Sequence, residues 1–179
     1  GILLELTNPD MTIGTVYGGC RMADVNPNKR SISEEEIHGV RYPEGYAARV
    51  YITAGNINDV YGGNDISGNV YGGSVVGIHC TINGDVYGGG NGSYPYTDNP
   101  ALSGTLEYGD YYYTIPEGST SVEALYEFRP HAEAVSIRLG GTETKHTIIG
   151  GSVYCGGNSA TLHSTSGTAE AQLKIGSYV

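Results

Sequence analysis

The stretch that decides the fold is "DVYGGNDISGNVYGGS", residues 59–74, in which Val-Tyr-Gly-Gly occurs twice within sixteen letters. The motif recurs along the chain as "IGTVYGG" from Ile13, "INDVYGG" from Ile57, "ISGNVYGG" from Ile66, "INGDVYGG" from Ile82 and "IGGSVYCGG" from Ile149. Three copies share the spacing Ile-x-Gly-x-Val-Tyr. Residues two apart on a strand share a face, so Ile66, Gly68 and Val70 are expected to point into a core. Ser67, Asn69 and Tyr71 would then face solvent. The glycine pair ends the strand, supplying positive φ or close backbone approach. A short β-branched strand cannot bury its inner face alone and must stack on a neighbour. The expected fold is therefore all-β: a parallel β-solenoid, right-handed and β-helix-like, over residues 1–179 as a single domain.

A larger unit overlies the motif. "ILLELTNPDMTIGTVYGG", "RVYITAGNINDVYGG" and "VSIRLGGTETKHTIIGGSVYCGG" each join an alternating apolar strand to a motif copy, and "AQLKIGSYV" resembles the start of another. The motif valines lie 44, 10, 16 and 67 residues apart; the long intervals require excursions, at 21–46 and 91–131. In the first, Ser31 or Ser33 followed three residues later by Glu fits a capped short helix. The second is rich in Tyr, Pro and Gly and is expected to be an inserted loop or small hairpin. A β-sandwich with Gly-rich hairpins would explain the ten-residue spacing but not the shared inner face. With Gly1 at its start and a strand-like end, the chain is expected to be a piece of a longer protein.

The composition narrows function. With 9 basic residues against 19 acidic ones, scattered along the chain, neither nucleic acid nor an anionic membrane surface is an expected partner. No apolar run is long enough to cross a membrane. Cys20, Cys80 and Cys155 form no CxxC pair, which argues against a zinc site and a dense disulfide framework. Aromatic character is almost all tyrosine, 16 against one Phe and no Trp.

The "VYGG" copies interleaved with "ITAGN"- and "LKIGS"-like strands, over residues 1–20, 47–92 and 132–179, resemble Gly-rich repeat proteins of gut-commensal bacteria. These are secreted or cell-surface, adhesin-like proteins whose repeats are read as β-helices. The resemblance implies a secreted or surface location and a structural or adhesive role, with glycans or host surface proteins as partners. It implies no catalytic residues.

Candidate sites follow from the same motif. If the copies align, Tyr17, Tyr61, Tyr71, Tyr87 and Tyr154 form an outward column at about 4.8 Å per strand. Such a column can stack on sugar rings or simply on itself. A second group, Tyr94, Tyr96, Tyr108, Tyr111, Tyr112 and Tyr113, is a binding tip or a local core. Asp59 and Asp85 precede the motif valine where other copies carry Thr15, Asn69 or Ser152, so the position reads as a small polar slot rather than a catalytic one. Together with Asp65 they are the candidate ligands for Ca²⁺, since "GGNDISGN" partly matches calcium-binding Gly-Asp repeats. No cofactor is expected otherwise. Histidines 38, 79, 131, 146 and 163 show no metal spacing. The expected function is a non-enzymatic extracellular structural or adhesive module, with glycan binding through surface tyrosines. The alternative is a carbohydrate-active enzyme, a glycosidase or a polysaccharide lyase. The lyase needs clustered bases, and Lys29, Lys145 and Lys174 are dispersed.

Overall fold

The computed structural model describes residues 2–37, 40–140, 146–164 and 169–176. In chain order the strands are β1 (Ile2–Leu6), β2 (Thr12–Tyr17), β3 (Glu35–Ile37), β4 (Val40–Tyr42), β5 (Tyr46–Ile52), β6 (Asn56–Tyr61), β7 (Asn69–Ile78), β8 (Thr81–Ile82) and β9 (Val86–Tyr87). They continue as β10 (Thr97–Asp98), β11 (Thr105–Tyr108), β12 (Tyr111–Thr114), β13 (His131–Leu139), β14 (Ile148–Ile149), β15 (Val153–Tyr154), β16 (Thr161–Leu162) and β17 (Glu170–Ile175). Helix α1 (Ser121–Phe128) lies between β12 and β13.

Two parallel sheets carry the core. The first runs β1-β5-β7-β13, with β16 and β17 both paired to β13; in the second, β6 pairs with β2, β8 and β9, and these last two pair with β14 and β15. Val50, Ile52, Val76, Ile78 and Ile137 from the first sheet meet Val16, Ile57, Val60, Ile82 and Val86 from the second in one buried cluster. Their near-complete removal from water, at roughly 1.5–3 kcal/mol per side chain, is the main stabilising term. Beside these sheets lie two antiparallel ones, β10-β11-β12 and β3-β4. The β-rich expectation holds at that level, but the parallel β-solenoid, right-handed and β-helix-like, is corrected. The sheets are mixed, parallel and antiparallel, and they form no closed or solenoid β-helix. The motif copies are not equivalent either. Val70 belongs to β7 of the first sheet and packs with Val25, Ala47, Ala48 and Ala132 in a separate cluster. Val60 and Val86 pair with each other in the second sheet.

Two local expectations are also corrected. Ile66, Gly68 and Val70 do not share a strand face, because Ile66 (φ 67°) and Gly68 (φ 92°) are left-handed and the strand begins only at Asn69. Nor does the segment from Ser31 to Ile37 form a helix; β3 pairs there with β4. Arg49 explains why. Its buried guanidinium donates to the carbonyls of Ser33 (2.9 Å) and Tyr46 (2.9 Å), pairs with Glu35 (2.8 Å), and lies 5.6 Å from the Tyr42 ring centroid. These bonds hold the 33–35 backbone extended against the first sheet, at the expense of a helical turn. The helix that does form has a reciprocal capping box: Glu123 N–H donates to Thr120 Oγ1 (3.2 Å) and Thr120 N–H to Glu123 Oε2 (2.9 Å). Those bonds to the ionised carboxylate hold its pKa below the usual range. No described helix is long and apolar enough to cross a membrane.

Candidate functional site

Four of the five motif tyrosines come together. Register places Val16, Val60, Val86 and Val153 side by side in the second sheet, and with them Tyr17, Tyr61, Tyr87 and Tyr154. The rings stack at centroid separations of 5.1, 4.7 and 4.7 Å with interplanar angles of 12°, 4° and 11°. The expected five-membered column is therefore four-membered, and it is not a free surface. Tyr61 is 8% exposed, whereas Tyr154 at the sheet edge is 45% exposed. Each inner ring has both faces covered by its neighbours, so only the outer face of an end ring could stack on a sugar. Burial is the first cause of the raised pKa of Tyr17 and Tyr61; Tyr87 is pushed up to about 12 by burial and then by the charge of Asp85.

Around this column the motif's polar groups close backbone bonds. Asp59 Oδ1 accepts from Asp85 N–H (2.8 Å), and Asp85 Oδ1 accepts from Ser152 N–H (2.7 Å). Each carboxylate thus caps the corner of the next strand, which is why the slot accepts any small polar acceptor. The glycines act through close approach. A Cβ on Gly62 would collide with the Gly88 carbonyl and lie 2.8 Å from Val76 Cγ2, and one on Gly18 would lie 2.6 Å from Val50 Cγ2. Among the motif glycines positive φ belongs to the third copy alone, at Gly68 (φ 92°) and Gly72 (φ 102°).

Asp65 stands apart from Asp59 and Asp85. It accepts a hydrogen bond from Tyr94 Oη, lies 3.4 Å from Asn91 Nδ2 and 3.6 Å from Arg21 Nε. Burial, followed by the hydrogen bond to Asp65, raises the Tyr94 pKa strongly. Among the described residues no three His, Cys, Asp or Glu side chains are grouped to hold a metal ion, so the three aspartates do not assemble the calcium ligand set considered above. Asparagines that the motif reading passed over form a line of their own. Asp65 bridges to Asn91 and Asn91 to Asn158, with Asn158 Nδ2 donating to Asn91 Oδ1 (3.3 Å). The signal for Asn91 and Asn158 was an Asn directly after the glycines of their copies.

The second tyrosine group is mostly a local core. Tyr94 and Tyr96 pack on Tyr108, and Tyr96 and Tyr113 on Phe128 of α1. Alternation along β12 separates its three tyrosines: Tyr111 sits beneath Arg21 at 5.1 Å, Tyr113 meets Phe128 at 4.3 Å, and Tyr112 is 56% exposed. Histidines 131 and 163 approach to 6.5 Å between ring centroids, and His79 packs edge-on against Tyr51 at 5.2 Å, burial lowering its pKa. His38 and Lys145 lie outside the described residues. All three cysteines are free thiols.

Tyr71, released from the column, lines an open groove of about 760 Å³ with Asn26, Lys29, Arg30, Glu44 and Glu133. The loop that presents Lys29 is tightly held: Asn26 Nδ2 donates to the carbonyls of Arg30 (2.9 Å) and Tyr71 (3.1 Å), and Arg30 N–H donates to Asn26 Oδ1 (3.1 Å). Asn26 (φ 56°) and Lys29 (φ 48°) are both left-handed, a conformation that non-glycine residues keep only when their surroundings impose it. Lys29 Nζ rests 4.8 Å from the Tyr71 ring centroid, and Glu133 accepts from Gly72 N–H at 2.6 Å. The groove thus presents one aromatic ring among amide, carboxylate and cationic groups on a fixed backbone. No protein-family model matches the chain, and no curated protein or solved structure matches it.

Proposed function

We propose that the chain is a non-enzymatic structural and adhesive module, secreted or displayed at a cell surface, that takes up glycans in the groove around Tyr71. One observation carries this reading: four motif tyrosines are closed into a stack while the fifth lines a polar groove. A sugar needs an aromatic ring for its apolar face and several polar groups for its hydroxyls. Tyr71, Asn26, Glu44 and Glu133 offer that combination in one place. Tyr112 and the outer face of Tyr154 are secondary contact points on the same reasoning.

A glycan array with the purified chain tests it. Binding is expected to fall at least tenfold in Tyr71→Ser and to survive in Leu102→Ser, an exposed site outside the groove. Retention of full binding by Tyr71→Ser, or no glycan bound at all, would remove the glycan part and leave a structural role. Glu44 and Glu133 line the same groove, the observation that favours the enzyme reading, since glycosidases work with paired carboxylates. Release of reducing ends from a bound glycan, lost in both Glu44→Gln and Glu133→Gln, would replace the adhesive reading with that one.

A further inference from the structure

The 91–131 insertion carries a surface that neither the tyrosine stack nor the Tyr71 groove uses. Its small sheet, β10-β11-β12, leaves β10 paired on one side only. Residues of β10 and of α1 line a second open groove, of about 430 Å³. Tyr96, Leu106, Val122 and Leu125 are its apolar walls, with Asp98 of β10 and Ser121 of α1 among them. The helix is docked by another side: Ala124 is buried, and Phe128 packs on Tyr96 and Tyr113. Val122 is 78% exposed and Tyr126, one turn further on, 50%. Residues four apart on a helix are neighbours, so an apolar stripe stands open to water beside an apolar groove. A β-branched residue in the first turn adds nothing to helix formation, which Thr120 and Glu123 already support by capping.

Charge selects what fits there. Residues 91–128 hold six carboxylates, Asp98, Glu107, Asp110, Glu117, Glu123 and Glu127, and no lysine or arginine. The other 13 acidic residues and all 9 basic ones are spread over the remaining 141 positions. Among the described residues no basic side chain pairs with any of the six. Arg129, which follows the helix, has its Nε buried. A field of one sign, uncompensated from within, draws cations and repels nucleic acid and anionic bilayers. It repels a second copy of the chain as well, whose own net charge is −10. An apolar groove under that field suits an occupant that is apolar at one point and positive around it.

From this we infer that the groove between β10 and α1 binds a linear segment of a partner protein, in which Lys or Arg residues flank one large apolar side chain. That side chain enters between Leu106, Val122 and Leu125 as the anchor, and the flanking cations meet Asp98 and the other carboxylates of the insertion. The anchor supplies affinity; the charges supply steering and the choice of partner.

Selection from a phage-displayed library of random linear peptides on the immobilised chain decides the matter. The enriched peptides are expected to carry a large aliphatic or aromatic residue within a few positions of Lys or Arg. Made synthetically with a fluorophore, they are then titrated with the chain and followed by anisotropy. Val122→Ser removes two methyl groups from the contact and is expected to weaken binding about tenfold. Asp98→Asn should weaken it severalfold at low salt and much less at high salt. Tyr71→Ser, in the other groove, should leave peptide binding unchanged, so the two sites stand or fail separately. Far-UV circular dichroism checks each fold; should Val122→Ser perturb it, Ser121→Lys opposes a cationic ligand from an exposed position. No enrichment, enriched peptides without basic residues, or binding undiminished in both Val122→Ser and Ser121→Lys overturns the proposal. So does glycan binding or self-association that is lost in Val122→Ser, which would give the groove to a sugar or to a second copy.

Discussion

Two copies of the motif, nine residues apart at their starts, behave in opposite ways. The copy from Ile57 sits in β6 of the second sheet with its tyrosine enclosed between Tyr17 and Tyr87. The copy from Ile66 sits in β7 of the first sheet, with its tyrosine against Lys29 at the rim of a groove. Four residues of shared sequence do not decide the environment; the pairing partners do. Val60 is flanked by Val16 and Val86 from other copies, whereas Val70 is flanked by Val25 and Ala132, which belong to no copy. Repetition builds the column. Departure from it makes the groove.

The largest expected effect tests whether the column glycines are there for close approach. Gly62→Val forces side-chain atoms into the Gly88 carbonyl and Val76. Both are held by ladders, so the penalty should reach about 4 kcal/mol, the upper range of overpacking and a large part of a domain's stability. Gly156, at the end of the column, has nothing within 4 Å of a built Cβ. Gly156→Ala should shift the urea midpoint by less than about 0.5 kcal/mol equivalent. Equal losses in chemical denaturation would break the comparison.

The next effect separates the two isoleucines that open these copies. Ile57 and Ile66 are both fully buried, but Ile57 lies in a strand and Ile66 at φ 67°. Truncating either leaves a cavity, and Ile57→Ala should cost about 3 kcal/mol. A β-branched residue is strained in the left-handed region by about 1–3 kcal/mol, part of which alanine relieves. Ile66→Ala should therefore cost about 1 kcal/mol less than Ile57→Ala. A larger loss at Ile66 would mean that its conformation carries little strain.

Much of this was legible in the sequence, and the failures have physical reasons. Ile and Val of the motif lie in or against the core, while the 91–131 stretch, expected as a loop or small hairpin, holds three antiparallel strands and a helix that the sequence reading did not foresee. The alignment of four tyrosines follows from the repeat. The third copy's displacement does not, because it depends on Val25 and Ala132, residues 45 and 62 positions away from Val70. The serine-glutamate pattern at residues 31–36 carries a capping signature that Arg49 overrides through bonds no local pattern encodes. The same signature at Thr120 and Glu123 has no such competitor and forms the helix. The groove was invisible for the same reason as the third copy: its walls come from three separate stretches, 26–33, 44–45 and 71–72, with Glu133 as a fourth.

The smallest effect per residue lies in the column and appears with pH. Tyr61→Leu removes two stacked contacts at 5.1 and 4.7 Å, each worth about 0.5–1.5 kcal/mol beyond burial. Tyr71→Leu gives up a single exposed cation–π contact of about 0.5–1 kcal/mol. The column should also show in alkali. Folded Tyr17, Tyr61 and Tyr87 hold their protons more tightly than in the unfolded chain, Tyr87 to about 12 against an ordinary 10. As pH passes 10 the unfolded chain ionises first. The stabilisation is complete below pH 10 and declines as pH rises through the folded values. Urea midpoints should therefore fall between pH 10 and 12, and less steeply in the Tyr61→Phe, Tyr87→Phe double variant, which keeps the stack but has two fewer protons to lose. An unchanged slope would place the alkaline sensitivity in tyrosines outside the column, buried Tyr42 and half-buried Tyr94 first among them, whose hydroxyls bond Glu5 and Asp65.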